Sequence, residues 1–404
     1  MITSISTGKG IDGRDKLRDL TPQQGWYNEG TLLDWYRAVP FIKRPVNLIA
    51  EEMYREGFTV DTGNPDLDKA VEEKMRELEF EKALVQCEKD KLIYNNGGLL
   101  YLAFDSMIPQ TEAVLNAPIP PDACLCYINP VPAYEFSVLN GGTDPLKKNY
   151  HRPTILMRGI EIHKSRYCWN VADYDGRYNR GESLVNDLID IGKGLDLSLW
   201  STATMVYEAQ VKVYKSNPVR DSGKNVVEKL LDKIKTTMSS QSAVVIGETE
   251  DFNKLNFQAA GLDQAFNFLW DCNGIISTVP SNIMKGQTKR VISLQNDPEL
   301  IGFYSNIERR QEAAEKAVVR PVVDLIIRGL IGSVPEYKIK WNPLYILDDS
   351  TKADIALKTS QTDAAYVTAG VLSPQDVTEM RFPDIETVNS NPNTDYEVAE
   401  PLPM

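Results

Sequence analysis

The chain has 404 residues and a formal net charge of −13 at pH 7, and this length predicts two or three subdomains rather than one core. An acidic protein is not expected to wrap nucleic acid for affinity, because phosphate contacts need Lys and Arg, although nucleic acid can still pass along it. No stretch approaches the ~20 apolar residues that span a bilayer. The first residues also lack the basic and apolar regions of a secretory signal, so we expect a protein made in the cytoplasm without membrane contact.

The cysteines and histidines do not form a metal-binding pattern. The histidines are His151 and His163, and the cysteines are Cys87, Cys124, Cys126, Cys168 and Cys272. Cys124 and Cys126 alone do not make a zinc site, because no second cysteine pair accompanies them. The sequence therefore predicts buried free thiols and no bound metal.

Helical patterns dominate the first hundred residues. Residues 1–24 show little periodicity and are predicted to form a mobile arm. Residues 26–58 predict two short helices that are interrupted at Pro40 and Pro45. The Asn64-Pro65-Asp66 sequence supplies a cap and a first-turn proline, which predicts the start of a further helix.

That helix is predicted to continue to the turn at 95–98, and a buried strand is predicted at 99–104. Residues 105–180 are rich in proline and alternate apolar and polar residues between turn signals. This pattern predicts a small mixed sheet with long loops.

Two long helices are predicted on either side of a small α/β segment. The first covers 181–215, with a bend or break expected at Gly192 and Gly194 because glycine lowers helix stability. The second covers 262–276. The segment between them predicts a short helix and strands, including 252–257, and resembles an excursion at the tip of a helical hairpin.

A basic loop and a further long helix follow. Lys285, Lys289 and Arg290 lie within six residues, on a turn that contains glycine. The Asp297-Pro298-Glu299 sequence predicts the start of the next helix, and Pro321 is expected to kink it. Apolar and uncharged residues spaced by three and four form a packing seam along this helix. They are Leu300, Tyr304, Ile307, Gln311, Ala314 and Val318.

Catalytic motifs are poorly represented. No phosphate-binding loop and no nucleophile elbow occur. His163-Lys-Ser165 has the form found in two-histidine phosphoesterases, but those enzymes use the motif twice, and His151-Arg-Pro153 does not supply the second copy. A nucleotide phosphodiesterase-like enzyme therefore remains an alternative hypothesis, and a ring scaffold without a DNA role is another.

Several sequence blocks, in their order, resemble bacteriophage portal proteins, the head–tail connectors of tailed phages. Among them are WYRAVPFIKRPVNLIAEEMYREG, GIISTVPSNIMKGQ, FYSNIERRQ and WNPLY. In chain order the blocks are residues 35–57, 274–287, 303–311, 341–345, 353–368 and 370–377.

The resemblance implies an α+β portal fold with a wing, a long-helix stem, a small α/β clip, a kinked tunnel helix and a short helical crown. The implied divisions are a flexible arm (1–25), wing (26–184), first stem helix (185–216), clip (217–259), second stem helix (260–280), tunnel loop (281–297), tunnel helix (298–332), wing return (333–350), crown (351–382) and disordered acidic tail (383–404).

The resemblance also implies a structural role without catalytic residues, metal or cofactor. Copies of the chain, usually twelve in this family, are expected to form a ring at one capsid vertex of the virion. Double-stranded DNA would pass through it non-specifically during packaging and ejection. The expected partners are the major capsid protein, the terminase large subunit and tail adaptor proteins.

Particular residues are assigned to this role. Lys285, Lys289 and Arg290 are expected to contact DNA from the tunnel loop, and four residues of the helical seam are expected to form a subunit interface. Those four are Leu300, Tyr304, Ile307 and Gln311.

Overall fold

The computed structural model describes most of the chain between residues 26 and 381. The described ranges are 26–104, 111–120, 123–139, 142, 146, 152–207, 210–215, 251–256, 262–286, 291–293 and 297–381, without the side chains of 204–215, 251–256, 262, 263, 265 and 379. The predicted arm at 1–24, the acidic tail and most of the predicted clip lie outside these ranges.

The chain divides into two compact units. One comprises Met1–Thr288 and Gly302–Leu344, and the other comprises Lys289–Ile301 and Tyr345–Met404.

The first unit begins with helices and strands that alternate. Up to residue 170 the elements are α1 (Glu29–Ala38), α2 (Pro40–Tyr54), β1 (Phe58–Asp61), α3 (Pro65–Glu77), α4 (Phe80–Ile93), β2 (Gly98–Phe104), α5 (Glu112–Asn116), β3 (Leu125–Val131), β4 (Phe136–Leu139), β5 (Thr154–Met157), β6 (Ile160–Glu161) and β7 (Tyr167–Asn170).

Longer helices dominate the rest of the chain. The elements are α6 (Leu184–Tyr207), β8 (Gln210–Lys215), β9 (Asp251–Asn256), α7 (Leu262–Ser277), α8 (Ser281–Met284), β10 (Val291–Ile292), α9 (Pro298–Ala314), a π-helical turn (Glu315–Val319), α10 (Arg320–Ile331), β11 (Lys338–Trp341), β12 (Ile346–Leu347), α11 (Asp349–Thr368) and α12 (Pro374–Arg381).

Helix α2 begins at Pro40, as predicted, but it continues through Pro45 instead of breaking there. Pro45 has no N–H to donate to the carbonyl of Phe41, one turn earlier. That carbonyl instead accepts a hydrogen bond of 3.0 Å from Nδ2 of Asn273. The helix is therefore tolerated because a distant side chain supplies the missing donor.

The single helix predicted between residues 65 and 95 is two helices, α3 and α4. They meet at Glu79, which has a φ of 49° in the left-handed region. The change of direction buries both Leu78 and Phe80. The gain from burying two large apolar side chains, a few kcal/mol in total, exceeds the roughly 1–2 kcal/mol that a left-handed residue costs.

Strand β2 is buried, as predicted for residues 99–104, and lies between β3 and β7 in an antiparallel sheet. Helix α4 packs closely on its first residue, because a Cβ at Gly98 would lie 2.3 Å from the carbonyl oxygen of Cys87. Strands β4, β5 and β6 form a second antiparallel sheet. The predicted mixed sheet is therefore wrong: within the described residues, 105–180 contribute to two antiparallel sheets.

Helix α6 is continuous through Gly192 and Gly194, so of the predicted bend or break the break does not occur. A Cβ at Gly192 would lie 2.6 Å from Cγ1 of Ile42, so the glycine allows α6 to pack directly on α2. The helix ends at Tyr207 rather than at 215. Residues Gln210–Lys215 instead form β8, which pairs antiparallel with β9 in the region predicted as a strand at 252–257.

The helical segment around Pro321, where a kink is predicted, contains a π-helical turn immediately before the proline. The N–H of Arg320 donates to the carbonyl of Glu315, five residues earlier. Pro321 then occupies the first turn of α10, where its missing N–H is not needed.

The second unit contains the parallel pair β10–β12 and the helices α11 and α12. Arg381 on α12 is paired with Asp363 on α11, with Nε and Oδ2 3.0 Å apart.

Candidate functional site

The basic loop begins at an anchored turn. Helix α8 buries Ile283 and Met284, and Val279 before it is also buried. Lys285 follows directly, caps α8 and is exposed. Gly286 then adopts a φ of 90°, which turns the chain away. The structure therefore places the first predicted DNA-contacting cation on a fixed base, whereas Lys289 and Arg290 lie outside the described residues.

The turn between α7 and α8 contains an unusual backbone conformation. Thr278 has a φ of 59°, although β-branched residues strongly disfavour the left-handed region. Its Oγ1 donates to the carbonyl of Ser277 at 2.6 Å, and Ser277 Oγ donates to the carbonyl of Asn273 at 2.7 Å. These hydrogen bonds hold the end of α7 immediately before the basic loop.

The C-terminal end of the loop is also fixed. Ser293 N donates to Oδ2 of Asp297 at 3.2 Å, and Asp297 N donates to the carbonyl of Ser293 at 2.9 Å. Helix α9 then starts at Pro298, with Glu299 in its first turn, as predicted. A carboxylate in the first turn of a helix is stabilised by the positive end of the helix dipole.

The predicted seam on α9 is buried in the single chain. Leu300, Tyr304, Ile307 and Gln311 are all nearly inaccessible to solvent. Gln311 donates through Nε2 to the carbonyl of Met53 at 2.6 Å, and the guanidinium of Arg55 lies 5.8 Å from the centre of the Tyr304 ring.

The exposed stripe of α9 consists of other residues. Ser305, Arg309 and Glu312 are exposed to solvent. The subunit contact assigned to Leu300, Tyr304, Ile307 and Gln311 stays a prediction.

Polar side chains hold the π-helical turn in place. Glu315 accepts hydrogen bonds from Arg320 Nη2 at 2.8 Å and from Trp341 Nε1 at 3.0 Å. Tyr337 donates to Asp324 Oδ1 at 2.6 Å, and its ring lies 5.2 Å from the Arg320 guanidinium. Burial raises the pKa of Tyr337, so the phenol remains a donor at neutral pH.

Helices α6 and α7 pack side by side against α2. Gly194 of α6 faces Leu269 of α7, since a Cβ there would lie 3.5 Å from Cδ2 of the leucine. The ring of Phe41 on α2 contacts Phe266 and Trp270 of α7 with edge-to-face geometry, at centroid distances of 6.4 and 5.5 Å. The two helices therefore form a pair that leads to the β8–β9 strands.

The same helix pair exposes large apolar side chains. They are Leu197, Leu199 and Trp200 on α6 and Phe268 and Ile275 on α7. Sequence periodicity did not identify them as a site, because an apolar residue on a helix is more often part of the core. Only the packing of the pair shows that these residues lack a covering layer.

Two carboxyl groups of this unit have strongly shifted pKa values. Burial raises the pKa of Glu29 to about 7, against the opposing effect of the backbone N–H groups of Asn95 and Asn96. Burial likewise raises the pKa of Asp90 to about 7, although Gln86 donates a hydrogen bond to it at 2.9 Å.

His163 has a structural role. Its Nδ1 accepts a hydrogen bond from Ser165 N at 3.3 Å and lies 2.8 Å from Ser165 Oγ. His163 thereby caps the 3₁₀ turn Lys164–Arg166. Its backbone N–H donates to the carbonyl of Leu115 at 2.9 Å. The ring nitrogen and hydroxyl that the phosphoesterase hypothesis required thus hold a turn together, and His151 lies outside the described residues.

The described residues show no metal centre and no membrane span. No group of three or more His, Cys, Asp or Glu side chains among them is arranged to hold a metal ion. None of the helices in the described part of the chain has the length and hydropathy needed to cross a bilayer. The thiols are free, but Cys124 and Cys126 are exposed and Cys272 is only half-buried, so the prediction that all thiols are buried holds for Cys87 and Cys168 alone.

Comparison with known proteins identifies the family. The phage portal protein family matches residues 31–365, which is most of the chain. The chain belongs to the phage portal protein family. This membership confirms the resemblance seen in the sequence and the prediction of a structural rather than enzymatic protein. No curated protein matches the chain significantly.

Several solved structures are also similar to this chain. A native gene transfer agent virion gives a TM-score of 0.47 at 12% identity, with 89% of this chain and 94% of that chain covered. An HK97-family phage portal protein from Corynebacterium diphtheriae gives a TM-score of 0.42 at 10% identity, with 77% and 94% covered.

A third similar structure is the neck of a native gene transfer agent particle computed with C12 symmetry. It gives a TM-score of 0.47 at 13% identity, with 88% of this chain and 93% of that chain covered. Because these TM-scores are below 0.5, the family assignment rests on the match of residues 31–365 alone.

Proposed function

We propose that copies of this chain form the portal ring at one capsid vertex of a virion, through which double-stranded DNA is packaged and ejected. The observation that carries this proposal is the match of residues 31–365 to the phage portal protein family. Twelve copies are the expected number. In this role the ring also docks the major capsid protein, the terminase large subunit and tail adaptor proteins.

The helix pair α6–α7 is assigned to the stem of this ring. Its helices lead to the antiparallel strands β8, which precedes the proposed clip at 217–259, and β9, which lies near its end. Residues 26–184 and 333–350 are assigned to the wing, 298–332 to the tunnel helix and 351–382 to the crown. A clip at the end of a two-helix stem would present its surface to the packaging ATPase and later to tail adaptors.

The charge of the chain supports passage of DNA rather than binding. With a net charge of −13 for each copy, a ring concentrates negative charge around the channel, and such a wall does not hold phosphate. In this proposal, narrow collars of positive charge are formed by Lys285, Lys289 and Arg290 from every copy in the ring. Such contacts to the DNA backbone position the duplex without reading its bases.

The chain does not supply the energy for packaging in this proposal. No GxxxxGK[ST] phosphate-binding sequence occurs in it. A separate ATPase must therefore drive the DNA, and the portal provides a passive gateway and a docking platform.

Electron microscopy of the purified protein tests the ring. We expect closed rings whose central opening is wide enough for a DNA duplex, about 20 Å across or more. Isolated globular particles, or a solid assembly without a bore, would contradict the portal role. A ring that forms but does not support DNA packaging in a reconstituted system would indicate a scaffold without a DNA role.

The cationic collar has its own test. The triple change of Lys285, Lys289 and Arg290 to Ala is expected to leave ring mass unchanged and to alter the rate of packaging or the retention of packaged DNA. A matched control replaces Lys69, Lys82 and Lys338, which are exposed cations on other elements. Equal packaging by both triple variants and the wild type would eliminate the collar.

A further inference from the structure

The helix pair exposes four large apolar side chains, those of Leu197, Trp200, Phe268 and Ile275. Their side chains are 49%, 73%, 67% and 77% exposed, in that order. We call this the α6–α7 face. Soluble chains seldom leave so many large apolar groups together in water, so such a patch indicates a docking surface.

Helical periodicity shows where this face points. Each residue of an α-helix is rotated by about 100° from the one before it. Phe268 and Ile275 therefore share one side of α7, and Trp270, which contacts Phe41 of α2, lies roughly opposite. On α6, Leu197 likewise lies about 140° around the helix from Gly192, which packs on Ile42 of α2. Leu197, Phe268 and Ile275 therefore point away from α2, whereas Trp200 lies about 80° around α6 from Gly192.

The rim of this face is acidic. Asp196 lies beside Leu197, and Asp271 lies between Phe268 and Ile275 on the same side of α7. Both carboxylates are exposed, and neither has an ion-pair partner among the described residues. A partner for the face is therefore expected to carry positive charge.

The last turn of α1 and the first turns of α2, which together we call the α1–α2 turn, have the complementary charge. Arg37, Lys43 and Arg44 are exposed there, and none of them pairs with a carboxylate within the part of the chain that the structure describes. The ammonium of Lys43 lies 6.0 Å from the centre of the Tyr36 ring, so aromatic surface accompanies the cations. On α2, Lys43 lies about 200° around the helix from Phe41, which contacts α7.

We propose that the α6–α7 face of one copy docks on the α1–α2 turn of an adjacent copy. This inference rests on the proposed ring. A cyclic ring is built from heterologous contacts, in which each subunit uses two different surfaces on opposite sides. An acidic apolar face and a basic aromatic surface are two such different, complementary surfaces. Burial of the apolar groups stabilises the contact, and the opposite charges set its register.

Charge reversal tests the pairing. One variant carries Asp196→Lys and Asp271→Lys, a second carries Lys43→Glu and Arg44→Glu, and a third combines all four changes. The fraction of protein in rings is measured by mass photometry at equal concentration. We expect each reversed pair to lower that fraction by about tenfold or more, because like charges then face each other, and the combined variant to recover most of it.

A matched control reverses a charge pair outside both surfaces. Glu72→Lys with Arg76→Glu exchanges the two ends of an exposed pair on α3, whose atoms lie 2.9 Å apart. This variant is expected to form rings as the wild type does. Circular dichroism and thermal unfolding verify that every variant folds, and Trp200→Ser with Phe268→Ser provides a second, uncharged disruption of the same face.

The outcomes separate this inference from the portal role. Wild-type rings together with intact rings in every reversed variant overturn the contact but leave the ring proposal standing. Loss of rings in both reversed pairs without recovery in the combined variant also overturns the contact, because the two surfaces then do not face each other. A wild type that forms no ring defeats the proposed function itself.

Discussion

Asn273 supplies the hydrogen bond that Pro45 cannot give to the carbonyl of Phe41. The donor is Nδ2 of the asparagine, 3.0 Å from the carbonyl oxygen, and Asn273 is fully buried. One side chain on α7 thus makes a proline in the interior of α2 acceptable. It also links the helix pair to the N-terminal helices of the same unit.

We expect Asn273→Ala to lower the free energy of unfolding by about 1–3 kcal/mol, because a buried carbonyl then loses its donor. Chemical denaturation of the purified protein measures this. Asn267→Ala, at an exposed position of the same helix, serves as the control and is expected to change stability by less than about 0.5 kcal/mol. Equal stability of the two variants would show that the Phe41 carbonyl does not need this partner.

Replacement of Thr278 tests the backbone strain before the basic loop. Glycine adopts the left-handed region without the penalty that a Cβ imposes, so Thr278→Gly is expected to be more stable than Thr278→Ala by about 1 kcal/mol. Both variants lose the Thr278 hydroxyl, so the comparison isolates the effect of backbone conformation. Thermal unfolding of the two proteins side by side gives the difference, and an alanine variant at least as stable as the glycine variant would refute the strain.

Burial of Glu29 and Asp90 predicts that stability depends on pH. Their pKa values are about 7 in the folded chain, above the ordinary values of 4.5 for Glu and 3.8 for Asp. Each group therefore binds its proton more tightly when folded, and its contribution to stability is complete below the unfolded pKa and lost as pH rises through about 7.

We expect the unfolding temperature to fall between about pH 5 and pH 8. The double variant Glu29→Gln with Asp90→Asn is expected to flatten that slope, because neither amide titrates. Glu72→Gln with Glu77→Gln, at two sites on α3, is the control and should retain the wild-type slope. A wild-type protein whose unfolding temperature is constant over this range would contradict the raised pKa values.

A charge introduced into the buried seam of α9 is expected to affect folding far more than a charge change on its exposed stripe. Ile307→Asp places a carboxylate at a fully buried position, so we expect loss of the folded chain, by several kcal/mol. Arg309→Glu, two residues along on the exposed stripe, is expected to leave the fold unchanged. A stable, folded monomer from Ile307→Asp would instead show that this side chain serves a neighbouring subunit.

The sequence predicted the elements whose signals are local. The cap and first-turn proline at Asn64 and Pro65, and those at Asp297 and Pro298, mark helix starts that the structure confirms. The apolar run at residues 99–104, directly after the turn at 95–98, likewise located a buried strand. In these segments the backbone conformation follows from residues within a few positions, and tertiary packing adds little new information.

The errors occurred where a distant residue decides the local conformation. Pro45 does not break α2 because Asn273, far along the chain, replaces its hydrogen bond. Gly192 does not break α6 because Ile42 occupies the space that a side chain would need. No local pattern contains this information, so propensity alone gave the wrong interruption in both helices.

The candidate site divides in the same way. Lys285 was found from sequence because a cluster of cations on a short loop is visible in the residues themselves. The exposed apolar residues of the α6–α7 face were not found, since Phe268 and Ile275 fit a helical core pattern as well as they fit a surface. Their role depends on which side of α7 faces α2, and only the packed structure shows that.

The π-helical turn fixes the number of residues that must separate α9 from α10. Such a turn holds one residue more than an α-helical turn, so the buried side of α10 is rotated by about 100° from the phase that α9 sets. Val323 and Ile327 reach the interior only because of that offset. Many substitutions in this segment are therefore tolerable, but deletion of one residue, such as Ala317, would turn the interior side of α10 outward.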